Sequence, residues 1–254
     1  MIQDALFLDF DGTLVEIVER PEAVAVDPAL PGLLAGLRDA LGGALALVSG
    51  RSVATLDAFL DPYRGDAAGL HGVERRVGGT LFGCDPDAHP ALRAGVAHLR
   101  FATAEWPGVI IEDKGCSVAL HWRLAPDHAA GAHALMLRLA DELGPDYRIQ
   151  GGKAVAEILP AASGKGPVIA RFMEEAPYRG RRPVFIGDDL TDENGFAVVN
   201  AMGGLSVRVG AGETVAGVRL ADPAAVRAAL PRWIAAGRVD LESPPQGLRA
   251  STPA

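Results

Sequence analysis

Asp9 and Asp11 stand two residues apart in Asp9-Phe10-Asp11-Gly12-Thr13, directly behind the apolar run Ala5-Leu6-Phe7-Leu8. At that spacing both carboxylates share one side of an extended chain. Held so close, they repel each other unless a cation lies between them or one keeps its proton. The pair suits a metal-dependent nucleophile site, although a solvated acidic turn after a core strand would carry the same residues. Further along, Asp188, Asp189, Asp192 and Glu193 place four carboxylates in six residues behind a second apolar run, 183–186. Oxygen-only clusters of this kind attract hard cations such as Mg²⁺.

Two further groups suit an anionic substrate. Ser49-Gly50-Arg51 closes the apolar run 44–48; a hydroxyl there can donate to a phosphate oxygen, and Gly50 leaves its backbone N–H accessible. Lys165, in Ser163-Gly164-Lys165-Gly166, opens a helical stretch, where orphan N–H groups and the helix dipole add to its charge. The Walker phosphate loop does not fit, because Leu159 stands where its first Gly belongs and Gly166 follows the lysine. An EF-hand loop fails on ligand spacing and Gly position. Gly210-Ala211-Gly212 lacks the third Gly of a dinucleotide fingerprint, Val215 taking its place, and reads as a turn. The six histidines show no zinc-ligand spacing.

The elements that must position these groups are readable. The apolar runs at 5–8, 44–48, 183–186 and 205–209 are short and continuous, as expected for parallel strands covered on both faces. Helical apolar spacing over 28–41, 165–176 and 223–236 separates them. Strand–helix alternation predicts an α/β fold with a doubly wound parallel sheet, Rossmann-like, whose ligands gather beyond the carboxyl ends of the strands. Asp9, Ser49 and Asp188 all fall there.

The middle of the chain has a different grain. Two hairpins are expected, one around Asp113-Lys114-Gly115 and one around Gly151-Gly152-Lys153, with helices over 86–104 and 126–143. The expected organisation is a catalytic α/β core from 1–72 plus 162–240, an inserted α+β cap over 73–161, and a disordered tail over 241–254.

Composition bounds the partners. Hydrophobic residues make up 49% of the 254, enough for a sizeable core. A net charge of −8, from 24 basic and 32 acidic side chains, argues against nucleic acid and anionic membranes as general partners. Neither a signal-like N-terminus nor an apolar stretch of the roughly 20 residues of a membrane span is present, and a cytoplasmic protein is expected. Cys84 and Cys116 are read as two free thiols, without a disulfide framework.

Taken in order, Asp9-x-Asp11-Gly12-Thr13, Ser49-Gly50-Arg51, Lys165 and Gly187-Asp188-Asp189-x-x-Asp192 resemble the four motifs of the haloacid dehalogenase-like phosphatases. Within that superfamily the chain is similar to the trehalose-6-phosphate phosphatase family. Leu70-His71-Gly72, Glu112-Asp113-Lys114-Gly115, His121-Trp122-Arg123, and Gly152-Lys153 with Glu157 carry that likeness. The resemblance implies a Mg²⁺-dependent hydrolase that releases phosphate from trehalose 6-phosphate through an aspartyl-phosphate. Asp9 is then the nucleophile and Asp11 the general acid and base. The metal falls to the Asp9 carboxylate, the Asp11 carbonyl and Asp188, with Asp189 and Asp192 behind it. Ser49, Gly50 and Lys165 hold the phosphate; Arg51, Glu112, Lys114, Arg123 and Glu157 face the sugar. It also implies a functional link to a trehalose-6-phosphate synthase. The same core motifs would serve a phosphatase for sucrose 6-phosphate or a glycosyl-glycerate phosphate, or a phosphomutase. A catalytically silent sugar-phosphate sensor would tolerate the loss of Asp9 or Asp11, and both are present.

Overall fold

The central strand of the main sheet is β1 (Asp4–Leu8), and all five of its residues are buried. Leu6 and Leu8 point into one apolar cluster, Ala5 and Phe7 into the other. That division is why the run is continuous rather than alternating: each face has its own helical cover. Each such Leu or Phe taken fully out of water contributes roughly 1.5–3 kcal/mol. The computed structural model describes residues 3–18, 24–83, 85–152 and 154–241.

On one side β1 pairs in parallel with β2 (Leu45–Val48), which pairs with β3 (Asp66–Gly69). On the other it pairs with β10 (Arg182–Gly187), followed by β11 (Leu205–Val209) and β12 (Val218–Leu220), all parallel. The chain order therefore reverses at β1, the place where a doubly wound sheet opens a crevice for ligands. One face is covered by α1 (Leu30–Ala40) and α7 (Pro223–Ala236), the other by α5 (Lys165–Met173) and α6 (Glu193–Ala201). A short helix, α2 (Val53–Phe59), follows the second strand, its N-cap Ser52 accepting from Thr55 N.

The inserted unit is a four-stranded antiparallel sheet in the order β6 (Ile110–Asp113), β7 (Val118–His121), β9 (Val155–Pro160), β8 (Tyr147–Gly152). Its apolar face, with Val118, Leu120, Ala156 and Ile158, packs on α3 (Pro90–Ala102) and α4 (Ala129–Leu143). The pleat sends the intervening residues to the opposite face. Glu112 aligns with Ala119, Ala119 with Glu157, and Glu157 with Gln150, so these side chains form one row across the polar face.

Three features differ from the sequence reading. Residues 74–82 form a hairpin of β4 (Glu74–Val77) and β5 (Thr80–Phe82) that extends the main sheet antiparallel to β3, not part of the small sheet. Its turn is Gly78-Gly79, both at positive φ (+55° and +82°), the conformation a two-residue hairpin needs. The cap helices start later than expected, at Pro90 and Ala129, each behind a short 3₁₀ turn. Cys116 is buried and disulfide-bonded, correcting the expectation of free thiols. Cys84, Lys153 and residues 242–254, the bulk of the expected tail, lie outside the described residues. No helix among the described residues is long and apolar enough to cross a membrane.

Candidate active site

The carboxyl end of β1 delivers Asp9, 5% exposed, with its N–H donated to Ile186 O of β10 at 2.9 Å. The chain then turns through residues 10–15, the N–H groups of Thr13, Leu14 and Val15 all donating to Phe10 O. Gly12 sits at φ +73°, and a Cβ there would lie 2.0 Å from Asp188 Oδ2. Only glycine allows the acidic loop behind β10 to close against the loop behind β1.

Lys165, the first residue of α5, reaches between them. Its Nζ lies 2.9 Å from Asp9 Oδ2 and 2.6 Å from Asp192 Oδ1. Asp192 is fully buried; its other oxygen accepts from Asp188 N at 3.0 Å and Asp189 N at 2.9 Å. It thus holds both the ammonium and the loop that carries Asp188. Burial alone would lower the Lys165 ammonium, but Asp9 and Asp192 outweigh it and keep the group above the usual lysine range. Burial pushes the Asp9 carboxyl well above the usual carboxylate range; Lys165 opposes this, while Asp192 and Asp188 add to it. Burial and then the Asp192 charge push Asp188 up to about 6.

These shifts test the donor set for a metal. Oxygens of Asp9, Asp188 and Asp192 all lie within 4.8 Å of one another. Lys165, the ammonium of the cluster, offsets one of three negative charges. Desolvated, mutually repelling oxygen donors fit a hard dication such as Mg²⁺. Both Asp192 oxygens are already engaged, which leaves the Asp9 and Asp188 carboxylates as the side-chain donors.

Asp11 is half-buried and held by Arg51, whose Nε donates to Oδ2 at 2.6 Å and Nη2 to Oδ1 at 2.7 Å. The guanidinium lies over Phe59, 4.8 Å from the ring centroid, and 5.8 Å from that of Phe10. Arg51, expected to face the sugar, is thus brought to the second aspartate. Ser49 is buried, its Oγ accepting from Arg51 N at 3.1 Å. Asp189 is exposed; its carboxylate accepts from Leu190 N at 2.6 Å and caps the 3₁₀ turn Leu190–Asp192.

Two cavities meet at these groups. One, of about 500 Å³, is lined by Asp9, Asp11, Ser49, Gly50, Arg51 and Asp188 among others. The second, of about 580 Å³, runs between β8 and the acidic loop, with Arg148, Gln150, Ser163 and Asn194 on its walls. His71, Lys165, Asp189 and Thr191 line both.

The cap residues singled out in the sequence are partly assembled. Lys114 Nζ lies 3.1 Å from Glu157 Oε1 and 3.8 Å from Glu112 Oε2, and Ser117 Oγ donates to Glu157 at 2.9 Å. They share the polar face of the small sheet with Gln150, yet none of the three lines either cavity. Arg123 is exposed beyond β7 and lines neither. His71, Arg148, Gln150, Thr191 and Asn194 were not among the residues expected to form the site. His71 lies in the quoted Leu70-His71-Gly72; nothing in the sequence marks the others.

A family model described as trehalose-phosphatase matches residues 7–223. The chain is 49% identical to a probable trehalose-phosphate phosphatase of Sinorhizobium fredii, covering 81% of this chain and 77% of that protein. It is also 49% identical to the trehalose-6-phosphate phosphatase of Escherichia coli, covering 85% and 81%. Among solved structures it is similar to a trehalose-6-phosphate phosphatase related protein, with a TM-score of 0.73 at 27% identity over 91% of this chain and 97% of that one.

Proposed function

The chain belongs to the trehalose-phosphatase family, and on that premise we propose that it hydrolyses trehalose 6-phosphate to trehalose and phosphate through an aspartyl-phosphate on Asp9. The observation that carries this reading is the arrangement around Asp9. The carboxylate stands buried at a strand end, one oxygen fixed by Lys165, beside Asp188, at the floor of a cavity that also holds Asp11 and Ser49.

In the first step an Asp9 oxygen attacks phosphorus while the bond from phosphorus to the sugar oxygen breaks, and Asp11 gives that oxygen a proton. In the second, water attacks phosphorus, Asp11 takes its proton, and the Asp9 carboxylate leaves. Ser49 Oγ, Gly50 N–H and Lys165 hold the non-reacting phosphoryl oxygens as charge redistributes. The bidentate bond from Arg51 orients the Asp11 carboxyl, and one of its two bonds must yield whenever Asp11 carries the proton. Asp9, Asp188 and the Asp11 carbonyl would hold Mg²⁺. That ion, when bound, supplies positive charge that screens the carboxylates and the phosphoryl group from one another. Asp192 and Asp189 keep the loop that presents Asp188 in place.

Glu112, Lys114 and Glu157 form a row of hydrogen-bonding groups suited to sugar hydroxyls. Closure of the small sheet over the core would bring that row to the cavities and exclude water. The same reading takes the substrate from a trehalose-6-phosphate synthase and assigns the cytoplasm as the compartment. Phosphate release measured with Mg²⁺ over trehalose 6-phosphate, sucrose 6-phosphate, glucose 6-phosphate and p-nitrophenyl phosphate tests it. A large preference for the first, abolished by EDTA and by Asp9→Asn, is expected. Equal turnover of all four overturns the substrate; activity surviving in Asp9→Asn overturns the mechanism.

A further inference from the structure

We propose that His71 determines sugar specificity, its imidazole hydrogen-bonding a hydroxyl of the sugar ring that carries the phosphate. The inference rests on the reading of the site as a sugar-phosphate phosphatase and adds a residue to it. Four residues line both cavities, and two of them are committed elsewhere: Lys165 to Asp9 and Asp192, Asp189 to Leu190 N. The His71 ring stands at the same boundary, and its nitrogens have no hydrogen-bond partner among the described residues. A ligand with phosphate in one cavity and sugar in the other must pass this ring.

The backbone holds it there against its own preference. Leu70 and His71 are consecutive non-glycine residues in the left-handed region, at φ +50° and +55°. Such conformations persist where the surroundings over-determine them, and they gather at ligand clamps. Here Leu70 N donates to Arg51 O at 2.9 Å, His71 N to Ser49 O at 3.1 Å, and Gly164 N to His71 O at 2.6 Å. One residue is thereby tied to the phosphate-binding turn and to the start of the Lys165 helix. The ring also lies flush against that turn: a Cβ on Gly50 would be 2.8 Å from His71 Cε1 and 2.9 Å from Nε2.

Its electrostatic setting suits a polyhydroxyl ligand. Burial first, then the charge of Lys165, lowers the imidazole from its ordinary value. A neutral ring offers one donor and one acceptor, the pair a sugar hydroxyl can use. Glu157, Lys114 and Arg148 act on the same ring from the small sheet. His71 therefore feels charges from both the core and the small sheet.

The test compares the wild type with His71→Gly, which suits the left-handed backbone, and His71→Asn, which tolerates it and keeps a polar group. The readout is kcat/KM on the best sugar phosphate divided by that on p-nitrophenyl phosphate, which has no sugar hydroxyls. That ratio is expected to fall about fivefold to tenfold in His71→Gly, the scale of one neutral hydrogen bond, with partial recovery in His71→Asn. An unchanged ratio overturns the proposal, whether both activities fall together or neither does. Binding of trehalose 6-phosphate to Asp9→Asn and to Asp9→Asn/His71→Gly gives a second reading without turnover. A dissociation constant equal in the two overturns the proposal as well. An error in the substrate assignment shows instead as a different ranking of sugar phosphates by the wild type.

Discussion

Replacing Asp188 by Asn is expected to stabilise the metal-free protein while abolishing turnover. The cluster holds three carboxylates whose oxygens lie within 4.8 Å, where two unit charges repel by roughly 3.5 kcal/mol at an effective dielectric of 20. Asp188 faces two of these charges and the ammonium of Lys165, so about one repulsion remains uncompensated. The carboxyl offers a separate figure: its rise from 3.8 to about 6 corresponds to roughly 3 kcal/mol. Asp188 is half-buried, and solvent screening reduces both figures to about 1–2 kcal/mol. For a chain of this size that is a rise in Tm of roughly 2–8 °C.

The pH dependence has a definite sign. The folded protein holds this proton more tightly than the unfolded chain, so the associated stability is full below 3.8 and lost as pH rises through about 6. Thermal unfolding in EDTA should therefore show Asp188→Asn melting above the wild type at pH 7.5, with the gap closing by pH 4.5. Added Mg²⁺ should raise the wild-type Tm and leave the variant's unmoved, since ligand binding stabilises only the form that binds. A variant that melts below the wild type at pH 7.5 in EDTA, or a gap that is the same at both pH values, refutes the reasoning.

Three further outcomes are expected. Lys165→Met leaves Asp9 and Asp192 buried without their cation; urea unfolding should show a loss of about 3–5 kcal/mol, and wild-type stability would count against that role. Arg51→Lys cannot engage both Asp11 oxygens, so single-turnover rates should drop on the order of tenfold, whereas an unchanged rate would mean that the clamp does not position Asp11. Glu157→Gln removes the charge of the nearer of the two carboxylates beside Lys114 and weakens the acceptor of Ser117; KM for the sugar phosphate should rise about fivefold, more than for p-nitrophenyl phosphate, and equal effects would place Glu157 outside sugar binding.

Much of this was legible in the residues, for reasons the fold makes plain. A strand covered on both faces must be apolar at every position, so 5–8 and 183–186 stand out, and the polar residues that end them are conspicuous. The small sheet was readable because its hairpins pair locally and one face alternates. Pairing between distant segments was not. The hairpin 74–82 joins β3 along an edge that no local pattern marks, although Gly78-Gly79 signals its turn. The bond of Arg51 to Asp11 spans 40 residues, and Arg148 reaches the second cavity from a strand with no chemical motif. Asp189 and Asp192 share one short acidic run, yet one is exposed as a cap and the other fully buried. That difference comes from the turn Leu190–Asp192, which directs neighbouring side chains to opposite environments.

The pairing of Asp4 with Arg182 has a consequence for synthesis. The chain's first strand is central to the main sheet, yet one of its two neighbours is made 178 residues later. At about 5–20 residues per second, a ribosome takes roughly 10–35 s to reach that partner. During this interval β2 and β3 can flank β1 on one edge, and the small sheet with α3 and α4 can close its own core. The other edge of β1 stays unpaired until β10 emerges. Co-translational chaperone binding should therefore concentrate on nascent chains whose β10 is still inside the exit tunnel and fall away once β10 has cleared it.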